Sequence, residues 1–149
     1  MQIRRVTIEW SYPMDIDNIL LDERMQDIGI YYITRKFGKN VSNLYIGKTI
    51  YSFGSRLESH RWFWTDDYRG RKEVRLGTIV KPKYLNNEEL YQLISDVEAT
   101  LIYLMSDSLI HNNKCTLSCN PSQRIKITNI GYRGDLPPEM YIKDEDWIE

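Results

Sequence analysis

Ile28-Gly29-Ile30-Tyr31-Tyr32-Ile33-Thr34 and, beyond Phe37-Gly38-Lys39-Asn40, Asn43-Leu44-Tyr45-Ile46-Gly47-Lys48-Thr49 are the runs on which the fold turns. The first is a continuous β-branched and aromatic run of strand length. The Gly-containing segment after it punctuates the chain as a turn, and the second run is again a strand. The pair reads as an antiparallel hairpin with a longer loop. Two tyrosines, Tyr31 and Tyr45, therefore stand on adjacent strands.

Working outward, Ile3 to Trp10 alternates partly and holds the β-formers Ile3, Val6, Thr7 and Ile8, so a strand is expected there. Asp15 to Leu21 reads as a short helix with Asp15 or Asp17 as its N-cap. Ser55 to Trp64 reads as a helix carrying Leu57, and Glu73 to Lys81 as a third strand ending before Pro82. The firmest helix runs from about Asn86 to Met105, because Leu90, Leu93, Ile94, Val97, Leu101, Leu104 and Met105 fall on one stripe. Asn86 or Asn87 can cap it, and Glu88 and Glu89 suit its first turn. Arg124 to Asn129 suggests a last short strand. From Gly131 the chain turns to Gly, Pro and acid, a tail packed on the domain or partly loose. The expectation is one α/β (α+β) domain with a small, mainly antiparallel, three-stranded central sheet flanked by helices. Residues 1–26 would form an N-terminal strand and helix extension, 27–134 the body and 135–149 an acidic tail.

At 149 residues, with 42% apolar and 28% charged residues, the chain suits one folded domain. No apolar run approaches the ~18–20 residues of a membrane span. Arg4 and Arg5 precede no long apolar stretch, and Cys115 and Cys119 form no disulfide framework, so a reduced, cytoplasmic protein is expected. The net charge of −1 conceals segregation. Residues 27–83 hold twelve basic against five acidic groups, for +7, whereas 135–149 hold one against six, for −5. A basic middle beside an acidic tail points to a polyanion-binding face.

Arg56 lies eleven residues beyond Tyr45, with His60 one helical turn later; Glu98 sits in the long helix and Asn112 fourteen residues after it. With Gly29-Ile30-Tyr31 and Tyr45-Ile46-Gly47, this ordered set over residues 29–112 resembles the GIY-YIG nuclease family of repair incision subunits, homing endonucleases and restriction enzymes. Asn129 to Leu136 is similar to an ending seen in small bacterial members. The resemblance implies divalent-metal-dependent endonucleolytic hydrolysis of DNA, with Gly29 and Gly47 as motif glycines. It also implies that Tyr31 and Tyr45 line the water site, either one being the base. Arg56 would then be the transition-state arginine and Asn112, or else Asn113 or the more remote Asn120, a geometric support.

The residue types suit that chemistry, which needs an activated water, a cation at the phosphate and stabilisation of developing charge. A tyrosine with an ordinary pKa of about 10 is a poor base unless cations favour its phenolate; Lys48, Arg56 and His60 are near enough in sequence to do so. Arg56 offers a planar donor fork for phosphate. On the helical wheel Glu98 projects roughly 80° from the centre of the apolar stripe, beside Ile94, Met105 and Tyr91, while Asp96 points to solvent. One carboxylate with waters and substrate phosphate suits Mg²⁺ or a similar cation such as Mn²⁺. Arg61-Trp62-Phe63-Trp64, with Tyr68, Arg69, Arg71 and Lys72, can stack bases and neutralise phosphates, and core packing of the tryptophans is an equal alternative. His111, Cys115 and Cys119 supply three of the four ligands zinc usually takes. The alternatives are a catalytically weak nucleic-acid-binding module and a protein-interaction domain reusing the fold. DNA is the expected partner; selectivity would be low, or would come from the 62–83 insert, from oligomerisation or from a partner protein.

Overall fold

A computed structural model describes residues 3–63, 68–110, 121–143 and 146–147. Among these, seven strands form one mixed sheet and two α-helices cover it. The strands are β1 (Arg4–Trp10), β2 (Met14–Asp15), β3 (Gly29–Phe37), β4 (Asn40–Thr49), β5 (Arg71–Lys81), β6 (Ile125–Gly131) and β7 (Glu139–Tyr141). The helices are α1 (Phe53–Phe63) and α2 (Asn87–Leu104). Strand order is β4-β3-β5-β1-β6-β7, with β2 paired to β5.

The expected three-stranded sheet is thus corrected. The hairpin and β5 do pair as an antiparallel trio, β4-β3-β5, but β1 adds to the other side of β5. β6 then lies parallel to β1, from Arg4 opposite Ile125 to Trp10 opposite Gly131. A parallel neighbour needs a long crossover, and here nearly the whole chain separates the two strands. The helix expected at Asp15–Leu21 is instead the short strand β2 followed by a 3-10 turn at Ile19–Leu21. Met14 and Asp15 are drawn out of a helix by pairing with Val74 and Glu73. The segment after Gly131 is tied down at β7, whose Met140 pairs with Ile127.

Both faces of the hairpin are covered, so it reads as an unbroken apolar run rather than an alternating one. Ile30, Tyr32 and Ile46 face a core built with Val6, Ile8, Trp10, Ile127 and the α2 side chains Leu93, Ile94, Val97 and Leu101. Tyr31, Ile33 and Leu44 face a second core with Phe53 and Leu57 of α1, Ile16, Ile19 and Met25. Trp10 is buried and donates from Nε1 to Asn129 Oδ1 at 2.9 Å, which satisfies its polar atom inside the larger core. Gly29 has φ +151, a backbone that side-chain-bearing residues rarely adopt, and a Cβ there would meet the carbonyl of Gly77.

The helix α2 begins at a capping box, with Asn86 Oδ1 accepting from the Glu89 N–H at 2.8 Å and Glu89 reaching back to the Asn86 N–H. Asp96 departs from expectation. It is 2% exposed rather than solvated. Its carboxylate accepts from the Ser122 N–H and hydroxyl, both at 2.7 Å, and from Gln123 Nε2 at 3.0 Å. The segment entering β6 crosses the outer side of α2 and takes that carboxylate as its anchor.

Candidate active site

The hairpin's register builds the first part of the site. Tyr31 lies opposite Gly47, and Ile33 opposite Tyr45. Opposed residues share a face, so both tyrosines project to the α1 side. Beyond Ile33 the register shifts, and Thr34 lies opposite Asn43 with Leu44 as the extra residue. This bulge sends Asn43 to the other face, where it accepts from the Tyr32 hydroxyl, while Leu44 and Tyr45 stay with Tyr31. The Tyr31 and Tyr45 rings stack at 6.0 Å between centroids and 16° between planes. Gly47 makes room for the pair, because a Cβ there would strike the Tyr31 hydroxyl and stand 2.6 Å from Tyr45 Cε1.

The helix α1 closes the pair from its own face. His60 is buried, its ring centroid 4.7 Å from that of Tyr45 and 5.3 Å from that of Tyr31. The Tyr31 hydroxyl lies 2.6 Å from His60 Nε2. Arg56, one turn earlier on the same side of α1, is exposed, and its guanidinium acts on the Tyr31 hydroxyl. The helix α2 approaches from the other face, past the edge strand β4. Lys48 Nζ donates to Ser95 Oγ at 2.6 Å, and one turn beyond Ser95, Glu98 is 4% exposed. The Glu98 charge acts on both Tyr31 and Arg56. Side chains from β3, β4 and α1 therefore pack together at the β4 edge of the sheet, and the charge of Glu98 on α2 reaches them.

The electrostatics differ from the sequence expectation. Burial pushes the Tyr31 phenol well above its ordinary pKa, and the Tyr45 phenol beside it adds to the shift. The Arg56 guanidinium opposes the shift without cancelling it. Arg56 itself loses by burial but is held more firmly charged by Tyr31, Tyr45 and Glu98. Tyr31 is thus a neutral hydroxyl that can donate to His60 Nε2 when the imidazole carries its own proton on Nδ1. In that state its oxygen is an acceptor whose own proton already has a destination.

Of the other expected site residues, Lys48 stays beside Arg56 and the rest of those described lie elsewhere. Lys48 is engaged by Ser95, a partner that its spacing of three from Glu98 on one helix makes detectable in retrospect. Arg69, Arg71 and Lys72 lie at the far end of β5. Arg71 pairs with Asp15 at 3.2 Å and Glu73 at 4.0 Å, and Lys72 Nζ donates to the carbonyls of Tyr68 and Gly70. Asn112, Asn113 and Asn120 lie outside the described residues, as do His111, Cys115, Cys119, Trp64 and the side chains of Arg61 and Trp62. The sequence reading also missed Tyr32, whose hydroxyl bonds Asn43 while Asn43 Nδ2 reaches Ser108 and Asp135, both at 3.3 Å. The doubled tyrosine at 31–32 was the available signal, since neighbours on a strand serve opposite faces.

No protein-family model, curated protein or solved structure matches this chain. No helix among the described residues is long and apolar enough to cross a membrane.

Proposed function

We propose that this protein is a divalent-metal-dependent DNA endonuclease of the GIY-YIG type. The observation that carries the reading is the Tyr31–His60 hydrogen bond set inside the stack with Tyr45, with Arg56 and Glu98 acting on the same hydroxyl. A core tyrosine needs one partner for its hydroxyl; it does not need an imidazole, a guanidinium and a buried carboxylate together.

In this reading substrate binding admits a water past the half-buried Tyr45 to the Tyr31 hydroxyl, and that water loses its proton to the phenol oxygen as the phenol passes its own proton to His60 Nε2. The water oxygen forms a bond to phosphorus, and the bond to the leaving sugar oxygen breaks, that oxygen taking its proton from solvent water. Arg56 is exposed enough to meet a phosphate oxygen, and its permanent charge stabilises the negative charge that develops there. Tyr45, half-buried and stacked on Tyr31, lies on the more open side and orients the water.

Among the described residues no three of His, Cys, Asp and Glu gather as a metal cage. Glu98 is the carboxylate that acts at the site, and a cation held by one carboxylate and completed by substrate phosphate and water is the habit of Mg²⁺. Bound at Glu98, such a cation would supply charge neutralisation at the phosphate and a polarised water. The test is nicking of supercoiled plasmid with and without magnesium. Magnesium-dependent conversion to the open circle is expected. Salt-sensitive DNA binding with no nicking would replace this reading by that of a binding module.

A further inference from the structure

Beside Arg56 opens a cleft of about 530 Å³, within the size range of small-ligand sites. It lies between the β4–α1 connection and the first turns of α2, and Arg56 belongs to both the cleft and the candidate active site. One wall is Tyr51, 83% exposed. The turn that carries it is fixed: Thr49 Oγ1 accepts from the N–H groups of Tyr51 and Ser52, both at 3.1 Å, and donates to the Ser52 carbonyl. A rigid turn holding a tyrosine out in water presents a ring with nothing packed to account for it. Tyr91 of α2 is a further wall, and Lys48 lines the cleft on the active-site side.

The polar lining is selective in kind. Gln92 spends its Nε2 on Asp96 Oδ1 at 3.3 Å and Ser122 Oγ at 3.2 Å, which leaves its carbonyl oxygen as the atom for the cleft. Glu88, exposed in the first turn of α2, adds a carboxylate. Cations therefore lie at the Arg56 and Lys48 side and acceptors at the Glu88 and Gln92 side, with aromatic rings along the walls. A nucleotide has the matching order: phosphate, then a flat base with N–H groups on its pairing edge. Glu88 would repel a second phosphate, and a base inside a duplex has its N–H edge occupied and its faces covered.

We infer that this cleft is a subsite for one unpaired nucleotide adjoining the scissile phosphate. Its base stacks on Tyr51 and Tyr91, and its N–H edge faces Glu88 and the Gln92 carbonyl. The inference rests on the endonuclease reading and makes it structure-specific: a bulge, flap or single-stranded junction is preferred over a perfect duplex, because only an unstacked base can enter.

The test uses two duplexes of identical sequence, one with a single unpaired 2-aminopurine and one fully paired. Binding is measured with the full-length Glu98→Ala protein, which does not cut in this reading, and cleavage with the parent protein in magnesium. The bulged duplex should bind roughly 5- to 150-fold more tightly, the range expected for one base–aromatic stack, with quenched 2-aminopurine fluorescence. Tyr51→Ala should remove the preference and the quenching, and Tyr51→Phe should keep both, so a folding defect is not mistaken for an absent stack. Equal affinity for the two duplexes, or a preference that survives both Tyr51→Ala and Tyr91→Ala, overturns the subsite. If the parent cuts both duplexes at one rate, the subsite fails and the endonuclease reading stands. If the Tyr51-dependent preference persists with no cutting in magnesium, the subsite stands and catalysis fails.

Discussion

Tyr31 shows how burial and charge compete at a single atom. Its phenol is fully buried, and burial outweighs the nearby guanidinium, so its pKa is raised rather than lowered. Tyr32, on the opposite face, is raised by burial and then by Asp135, with Arg75 opposing. For an acid that is neutral when protonated, a raised folded-state pKa gives stability that is fully present below the unfolded value of about 10. That stability is lost as pH rises from there toward the folded value. The thermal midpoint should therefore fall steeply above about pH 10, and Tyr31→Phe should make the fall shallower. Melting curves from pH 8 to 11 check this, and an unchanged slope in the variant would mean that burial does not hold this phenol neutral. At the neighbouring positions, Glu98→Ala should abolish magnesium-dependent nicking and keep DNA binding. Arg56→Ala should lower single-turnover cleavage by something like 10²–10³, the loss typical of one transition-state donor, with a modest effect on affinity. If Arg56→Ala reduces affinity and turnover equally, the residue docks DNA and does no more.

The elements explain which features were legible in the chain. The β3–β4 hairpin and α2 were, because each is local: a β-branched run, a turn, a second run, and a 3.6-residue stripe opened by an Asn86 cap. Tyr31, Tyr45, Arg56, His60 and Glu98 were grouped only through the resemblance of their ordered set to the GIY-YIG family, and not by any local periodicity. The place of β1 was not legible, because its partners Lys81 and Ile125 are set by pairing across most of the chain and by no local periodicity. Asp96 was misread for the same reason: the wheel places it outward, and only the return of Ser122 and Gln123 makes outward mean buried. The bulge at Leu44 was equally hidden, although it decides that Tyr45 and Asn43 serve different faces. Gly47 is where element geometry meets the site. Gly47→Ala would place a methyl against the Tyr31 hydroxyl and the Tyr45 ring. A loss of about 1–3 kcal/mol is expected from overpacking, with a fall in cleavage larger than stability alone explains. Denaturant titration beside a cleavage assay on the fully folded fraction measures both, and normal cleavage by that fraction would show that the stack is not needed in its observed form.

Across the whole molecule, the +7 excess of residues 27–83 is not spread evenly over one face. Much of it gathers where β3, β4 and β5 end together, with Arg35 opposite Lys72, Lys36 opposite Arg71, Lys39 in the turn and Arg69 before β5. At about 3.3 Å per strand residue, Lys36 lies some 16 Å along β3 from Tyr31, a few nucleotide steps down a bound strand. The charges there are not equivalent. Arg71 already faces Asp15 and Glu73, and Lys72 holds the carbonyls of its own loop. Lys36, Lys39 and Arg69 are exposed. DNA held at the site and at this end should therefore owe its salt dependence to the second group. Removing one cation that neutralises a phosphate lowers the slope of log affinity against log salt by about 0.9. Neutralising Lys36, Lys39 and Arg69 together should flatten the slope by roughly 2 to 3 and weaken binding at all sequences alike. Arg71→Gln should change it by less than one such step, since its release to a phosphate must first break the ion pair with Asp15. Titrations at four or five salt concentrations distinguish the two groups. An unaltered slope in the triple variant would remove the strand ends from the path of the DNA and leave the basic excess as surface charge alone.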